Sequence, residues 1–119
     1  ELQGHPKLAH VHYPTLANFP QVELARRQMK SGGTIVSIDL RGGKEASFRF
    51  LNALKLILIS NNLGDSKSLA THPATTTHQR LTPEQKAAQG ITQGLLRLSI
   101  GLEDMSDLLA ELRQALDAA

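Results

Sequence analysis

The chain contains no cysteine and no tryptophan. The first absence excludes disulfides, thiol nucleophiles and cysteine-based zinc sites. Aromatic residues are scarce: Tyr13, Phe19, Phe48 and Phe50 are all there is. The core is therefore expected to be aliphatic. No charge of one sign dominates. Lys and Arg number 13 against 11 Asp and Glu, a net charge of +2. That excess is small and scattered, so nothing points to a nucleic-acid partner or an anionic membrane surface. Long hydrophobic runs are also missing. The longest, Leu56 to Ile59, is far short of the roughly 20 residues that span a bilayer. No secretory leader pattern opens the chain, and no membrane partner is expected.

What is present fits one globular unit. The 119 residues, 40% of them hydrophobic, suffice for one core but not two, and argue against disorder. The pattern alternates strands and helices without repeats. Ala9 to Tyr13 reads as a short strand stopped by Pro14. Phe19 to Met29 reads as a helix with Pro20 in its first turn and Val22, Ala25 and Met29 on one face. Thr34 to Leu40 alternates as a strand, with Val36, Ile38 and Leu40 on one side and Ser37 and Asp39 on the other. Gly42-Gly43 reads as a turn. Ala46, Phe50, Ala53 and Leu54 then fall at helical spacing. Leu56 to Ser60 suits a buried strand, and Ser68 to His72 another, closed by Pro73.

Thr82-Pro83-Glu84-Gln85 is a helix start with a capping box, and Gly90 ends that helix. Leu95 to Ile100 is a strand with Leu96, Leu98 and Ile100 on its apolar side. From Asp104 to the end runs a helix striped by Met105, Leu108, Leu109, Leu112 and Leu116. The fold class is therefore α/β of the α+β kind. We expect four or five strands in a mixed or mainly antiparallel sheet, with helices on one face.

Arg97 stands out among residues that could do chemistry. It sits in mid-strand with Leu95 and Ser99, opposite the apolar stripe. A guanidinium stays charged at neutral pH and is costly to bury without an anion. Its planar fork matches a carboxylate. Asp39, Glu103 or another chain could supply that carboxylate; so could a ligand. Asn62-Leu63-Gly64 reads by itself as a turn after a strand. Lys67, in Asp65-Ser66-Lys67-Ser68, lacks the aromatic and glycine-rich surroundings of a cofactor lysine. His10 and His12 share a strand face, and His72 and His78 bracket a threonine-rich turn. Two ligands do not make a metal site, and no metal is expected. No His-Glu-x-x-His, phosphate loop or Gly-x-Ser-x-Gly occurs.

Two segments carry a family resemblance. Asn61 to His78 (NNLGDSKSLATHPATTTH) and Gly94 to Asp104 (GLLRLSIGLED) resemble the C-terminal domain of the pyridoxal-phosphate enzymes of Cys/Met metabolism. The resemblance extends from about Val11 to Leu116. It is most like the sulfhydrylase branch acting on O-acylated homoserine, and His72 to Leu81 (HPATTTHQRL) most resembles its O-succinylhomoserine members. The implied fold is the small C-terminal domain of the aspartate-aminotransferase type, here residues 1–119. The implied cofactor is pyridoxal 5'-phosphate, held by a domain upstream of Glu1 and absent from this chain. The implied reaction is γ-replacement: sulfide displaces succinate at Cγ and yields homocysteine.

By resemblance Arg97 grips the α-carboxylate of the amino-acid substrate, with Asn62 and Leu63 beside it. Related enzymes often carry Ser-Leu-Gly where this chain has Asn-Leu-Gly. A backbone contact from Asn62 or Leu63 survives that change; a serine hydroxyl contact does not. No catalytic or cofactor-binding residue is expected within these residues. The implied partners are the missing cofactor domain, a small-molecule substrate and further copies in a cytoplasmic homotetramer. An O-acetylhomoserine sulfhydrylase or cystathionine γ-synthase domain is the nearest alternative. A stand-alone amino-acid-binding domain without catalysis is the alternative from another class.

Overall fold

The computed structural model describes all residues from Glu1 to Ala119. Five strands form one sheet: β1 (Leu8–His12), β2 (Ile35–Leu40), β3 (Leu58–Ile59), β4 (Leu69–Thr71) and β5 (Leu95–Ser99). Their spatial order is β1-β2-β5-β4-β3. The β1/β2, β2/β5 and β4/β5 pairs are antiparallel, and β3/β4 is parallel. β5 is therefore the central strand although it comes last.

The expected alternation places the faces. Val36 pairs with Leu98, and Ile38 with Leu96. Neighbouring residues in register share a face, so these side chains form one apolar surface. Two helices, α2 (Gly43–Ala53) and α4 (Met105–Ala118), pack over it. Phe50 from α2 and Leu116 from α4 are fully buried against Ile38, Leu96 and Leu98. Burying each such side chain is worth about 1.5–3 kcal/mol. Two shorter helices, α1 (Val22–Gln28) and α3 (Pro83–Ala88), contribute little to the core. Ala25 is the one buried residue of α1, and α3 buries none. The capping box of α3 is present: Gln85 N–H donates to Thr82 Oγ1 and Thr82 N–H to Gln85 Oε1.

Five local expectations are corrected. α1 begins at Val22 rather than Phe19, because Phe19 to Gln21 close a preceding turn, and Met29 lies exposed outside it. The turn expected at Gly42-Gly43 lies at Arg41 and Gly42, and α2 already starts at Gly43, whose positive φ of 62° favours glycine. The run from Leu56 to Ser60 is not a buried strand. Only Leu58 and Ile59 pair, on one side, at the sheet edge, and Ile57 alone turns into the core. The stripe of α4 loses Met105, which is 66% exposed, and gains Ala115. Ile100 lies beyond the end of β5 and is only half-buried.

Glu111 is buried inside that stripe. Its Oε1 accepts the backbone N–H groups of Lys55 and Leu56, each at 2.6 Å, and of Ile57 at 3.2 Å. Gln114 Nε2 donates to Oε2 at 3.2 Å. These amides follow the end of α2 and have no ladder partner there. Burial acts to raise this carboxyl, but the amides of Leu56, Lys55 and Ile57 outweigh it and hold Glu111 below the ordinary glutamate range. Glu111 thereby ties α4 to the entry of the edge strand.

Candidate functional site

On the face opposite α2 and α4, Ser37, Arg97 and Thr71 lie side by side across β2, β5 and β4. The loop from Ser60 to Lys67 leaves the edge strand and returns over this face. It meets the central strand at two points. Arg97 Nη2 donates to Asn61 O at 2.8 Å and to Asn62 O at 3.2 Å. One turn further, Gly64 N–H donates to Ser99 Oγ at 2.9 Å. Gly64 has φ of 75°, the left-handed conformation this turn requires.

Arg97 has no carboxylate partner in the chain. The two ion pairs present, Arg26–Glu23 and Arg113–Glu1, are elsewhere and exposed. Neither carboxylate considered from the sequence reaches it. Asp39 accepts from Thr92 Oγ1 at 2.7 Å. Glu103 accepts the Ser68 N–H at 2.6 Å and the Ser68 hydroxyl at 2.7 Å. The amide and then the hydroxyl of Ser68 hold Glu103 below its ordinary range. Ser68 Oγ in turn accepts Gly101 N–H at 2.8 Å. A side chain at Gly101 would run into the backbone of Ser66 to Ser68. Arg97 is thus half-buried, with Nη2 anchored and its Nε and Nη1 hydrogens without a protein acceptor.

The structure brings Arg97 and Asn62 together through the Asn62 carbonyl. Leu63 follows in the same loop with its side chain 58% exposed. Asn62 N–H donates to Ser60 Oγ at 3.2 Å. Sequence reasoning missed three residues of this cluster: Thr71, Ser99 as a loop anchor, and Ser68. A signal existed for Ser99 alone, a hydroxyl two positions from Arg97 on the same strand face.

The His72 to His78 segment forms a 3-10 turn, Pro73–Thr75, with a dense polar network. His72 is buried, and Nε2 lies 2.8 Å from Gln93 O. A carbonyl only accepts, so Nε2 carries a proton; in that tautomer Nδ1 accepts from Thr75 Oγ1 at 2.8 Å. The Phe48 ring stands edge-on to the imidazole at 5.4 Å. His78 Nδ1 and Thr77 Oγ1 are 2.7 Å apart. His10 and His12 face one another at 5.8 Å between ring centroids, and no group of three or more metal-ligating side chains forms. No helix is long and apolar enough to cross a membrane.

A mixed five-stranded sheet with helices on one face and an arginine without an acidic partner on the other defines a small α/β domain. The profile of the Cys/Met metabolism PLP-dependent enzymes matches residues 2–117, and the chain belongs to that family. L-methionine gamma-lyase of Pseudomonas putida is 51% identical over 118 residues, 99% of this chain and 30% of the relative. O-succinylhomoserine sulfhydrylase of Mycobacterium tuberculosis is 50% identical over 119 residues, 97% of this chain and 29% of the relative. Cystathionine gamma synthase of Xanthomonas oryzae pv. oryzae, solved in complex with cystathionine, superposes with a TM-score of 0.93 at 44% identity, covering 98% of this chain and 30% of that one. The chain thus spans about 30% of the length of the relatives it matches.

The family depends on pyridoxal phosphate, but the residues present do not fit that group. Lys7 donates to the carbonyls of Asp117 and Ala119, and Lys86 to that of Ala74. Lys44 lies over the Phe48 ring, and Lys30, Lys55 and Lys67 are exposed. None stands in an enclosed pocket with an aromatic wall and a phosphate cradle.

Proposed function

We propose that this chain is the substrate-carboxylate-binding domain of a longer enzyme that makes homocysteine from O-succinylhomoserine and sulfide. The observation that carries the reading is the state of Arg97. Its guanidinium is held by two backbone carbonyls, is not neutralised by any acid of the chain, and keeps donors free. Such a group receives a carboxylate through charge-assisted hydrogen bonds. Oriented this way, the substrate presents its reacting carbons to chemistry supplied elsewhere. The cofactor, when bound by the remainder of the protein, supplies the electron sink. Asn62 and Leu63 border the carboxylate through the loop backbone. The longer protein is proposed to work as a cytoplasmic homotetramer.

Identity does not separate sulfhydrylase from lyase, since the relatives of both kinds stand at 51% and 50%. What favours the succinyl ester and sulfide is the resemblance of the segment His72 to Leu81 (HPATTTHQRL) to the O-succinylhomoserine sulfhydrylases. The test is a substrate panel on the longer protein loaded with pyridoxal phosphate. Homocysteine should form from O-succinylhomoserine and sulfide faster than from O-acetylhomoserine and sulfide. Cystathionine formed with cysteine in place of sulfide would assign a synthase. Consumption of methionine as the fastest reaction, without added sulfide, would overturn the reading in favour of the lyase. Absence of turnover with every substrate, with amino-acid binding retained, would support a binding domain.

A further inference from the structure

We propose that Thr71 is a positioning residue for Arg97, acting through Asn61; this rests on the carboxylate-binding reading of Arg97. An arginine in an ion pair is directed by its partner. Arg97 has none in the chain, and its long side chain carries considerable rotamer freedom. Its direction is set by the carbonyls of Asn61 and Asn62. Those carbonyls belong to a loop whose residues 61 to 67 are all exposed, so burial does not fix them.

What fixes Asn61 is a hydrogen bond to its side chain. Thr71 Oγ1 donates to Asn61 Oδ1 at 2.9 Å. Asn61 is also the residue whose carbonyl makes the shorter bond to Arg97. Thr71 is 1% exposed and lies directly opposite Arg97 in the β4/β5 register. Its hydroxyl has one proton. That proton goes to Asn61, and the one proton of Thr76 Oγ1, which lies 2.9 Å from Thr71 Oγ1, goes to the His72 carbonyl at 2.8 Å. The Thr71 hydroxyl therefore aims its proton at the loop. A relay runs Thr71, Asn61, Arg97. A buried hydroxyl is costly unless it is bonded, and Thr71 is bonded to Asn61.

The test is equilibrium binding to the longer protein, by calorimetry, of norvaline and of norvalinamide. Norvaline has no leaving group at Cγ, and the amide lacks the carboxylate charge. The wild-type protein should prefer norvaline, and Arg97→Ala should abolish that preference. An unchanged preference in Arg97→Ala would sink the carboxylate reading itself. Thr71→Val keeps the shape and removes the hydroxyl. It should lower the acid-over-amide ratio by about three- to tenfold, the range of one neutral hydrogen bond, with norvalinamide affinity unchanged. Thr71→Ser should restore the ratio. Asn61→Ala, at an exposed position that does not challenge folding, should reproduce Thr71→Val, and the double variant should lose no more than either alone. If Thr71→Val does not fold, Asn61→Ala decides. A wild-type ratio in Asn61→Ala or Thr71→Val beside a lost ratio in Arg97→Ala overturns the relay. So does a Thr71→Ser protein that behaves like Thr71→Val.

Discussion

The centre of the sheet and its β3 edge are built from different interactions. At the centre, β2 and β5 bury Ile38, Leu96 and Leu98 completely beneath Phe50 and Leu116. At the edge, Leu58 and Ile59 are exposed, and the loop beyond them is held by hydrogen bonds to Arg97, Ser99 and Thr71. Apolar burial is non-directional and scales with area, so it sustains stability. Hydrogen bonds add modestly to stability but set direction. The molecule thus separates what keeps it folded from what aims its arginine. The substitutions below test that separation, from the largest expected effect on the molecule to the smallest.

Phe50→Ala should cost about 3–5 kcal/mol of unfolding free energy, because it opens a cavity in the core. Ile59→Ala should cost less than about 1 kcal/mol, since its side chain is 60% exposed. Urea unfolding of the two variants measures both. Equal losses would mean that the edge is not the weakly packed region described here.

Arg97→Ala should do the reverse of Phe50→Ala: leave the unfolding midpoint nearly unchanged and reduce turnover in the longer protein. A charge-assisted hydrogen bond is worth about 1.5–3 kcal/mol, so a loss of tenfold or more in kcat/KM is expected. Arg97→Lys should recover only part, because an ammonium lacks the planar fork. Near-normal kinetics in the alanine variant would remove Arg97 from the site.

Glu111 joins the two regions, and its effect should fall between them. Glu111→Ala leaves the amides of Lys55, Leu56 and Ile57 without their acceptor and should cost about 1–3 kcal/mol. The pH dependence has a definite sign. The folded carboxyl titrates below the unfolded one, so the native state binds fewer protons across that window. Its stabilisation is complete above the ordinary glutamate range and is lost as pH falls through the lowered value. Stability curves of wild type and Glu111→Gln should converge in acid. Curves that stay parallel down to low pH would exclude this role.

The smallest effect concerns association. The face bearing Leu95, Arg97 and Ser99 is only partly open. Leu95 and Arg97 are half-buried, and Ser99 is covered by the loop. Exposed apolar side chains gather instead at Leu56, Leu58, Ile59 and Leu63. Together with unpaired backbone at the sheet edge, they favour self-association of residues 1–119 on their own. Sedimentation should show weak association that Ile59→Lys reduces. A concentration-independent monomer for the unsubstituted chain would contradict this.

The alternation in β2 and β5, the capping box of α3 and most of the α4 stripe were legible in the sequence. So was the membership of Arg97 in the face opposite the apolar one. Each of these is a local pattern, in which residues a few positions apart report the same face of one element. The run from Leu56 to Ile59 was misleading for the same reason. Composition marks it as apolar, but whether a strand is central or at an edge depends on its neighbours in the sheet, and β3 has one.

The residues alone determined the strand and helix inventory, the family resemblance and the candidate arginine. Only the tertiary structure decided that Glu103 serves Ser68 and not Arg97, that Glu111 collects amides 54 to 56 positions away, and that Asn61 and Thr71 stand beside Arg97. The physical reason is separation along the chain. Arg97 meets the loop across 35 and 36 residues, and no local periodicity carries information about which distant backbone will be brought into hydrogen-bonding reach.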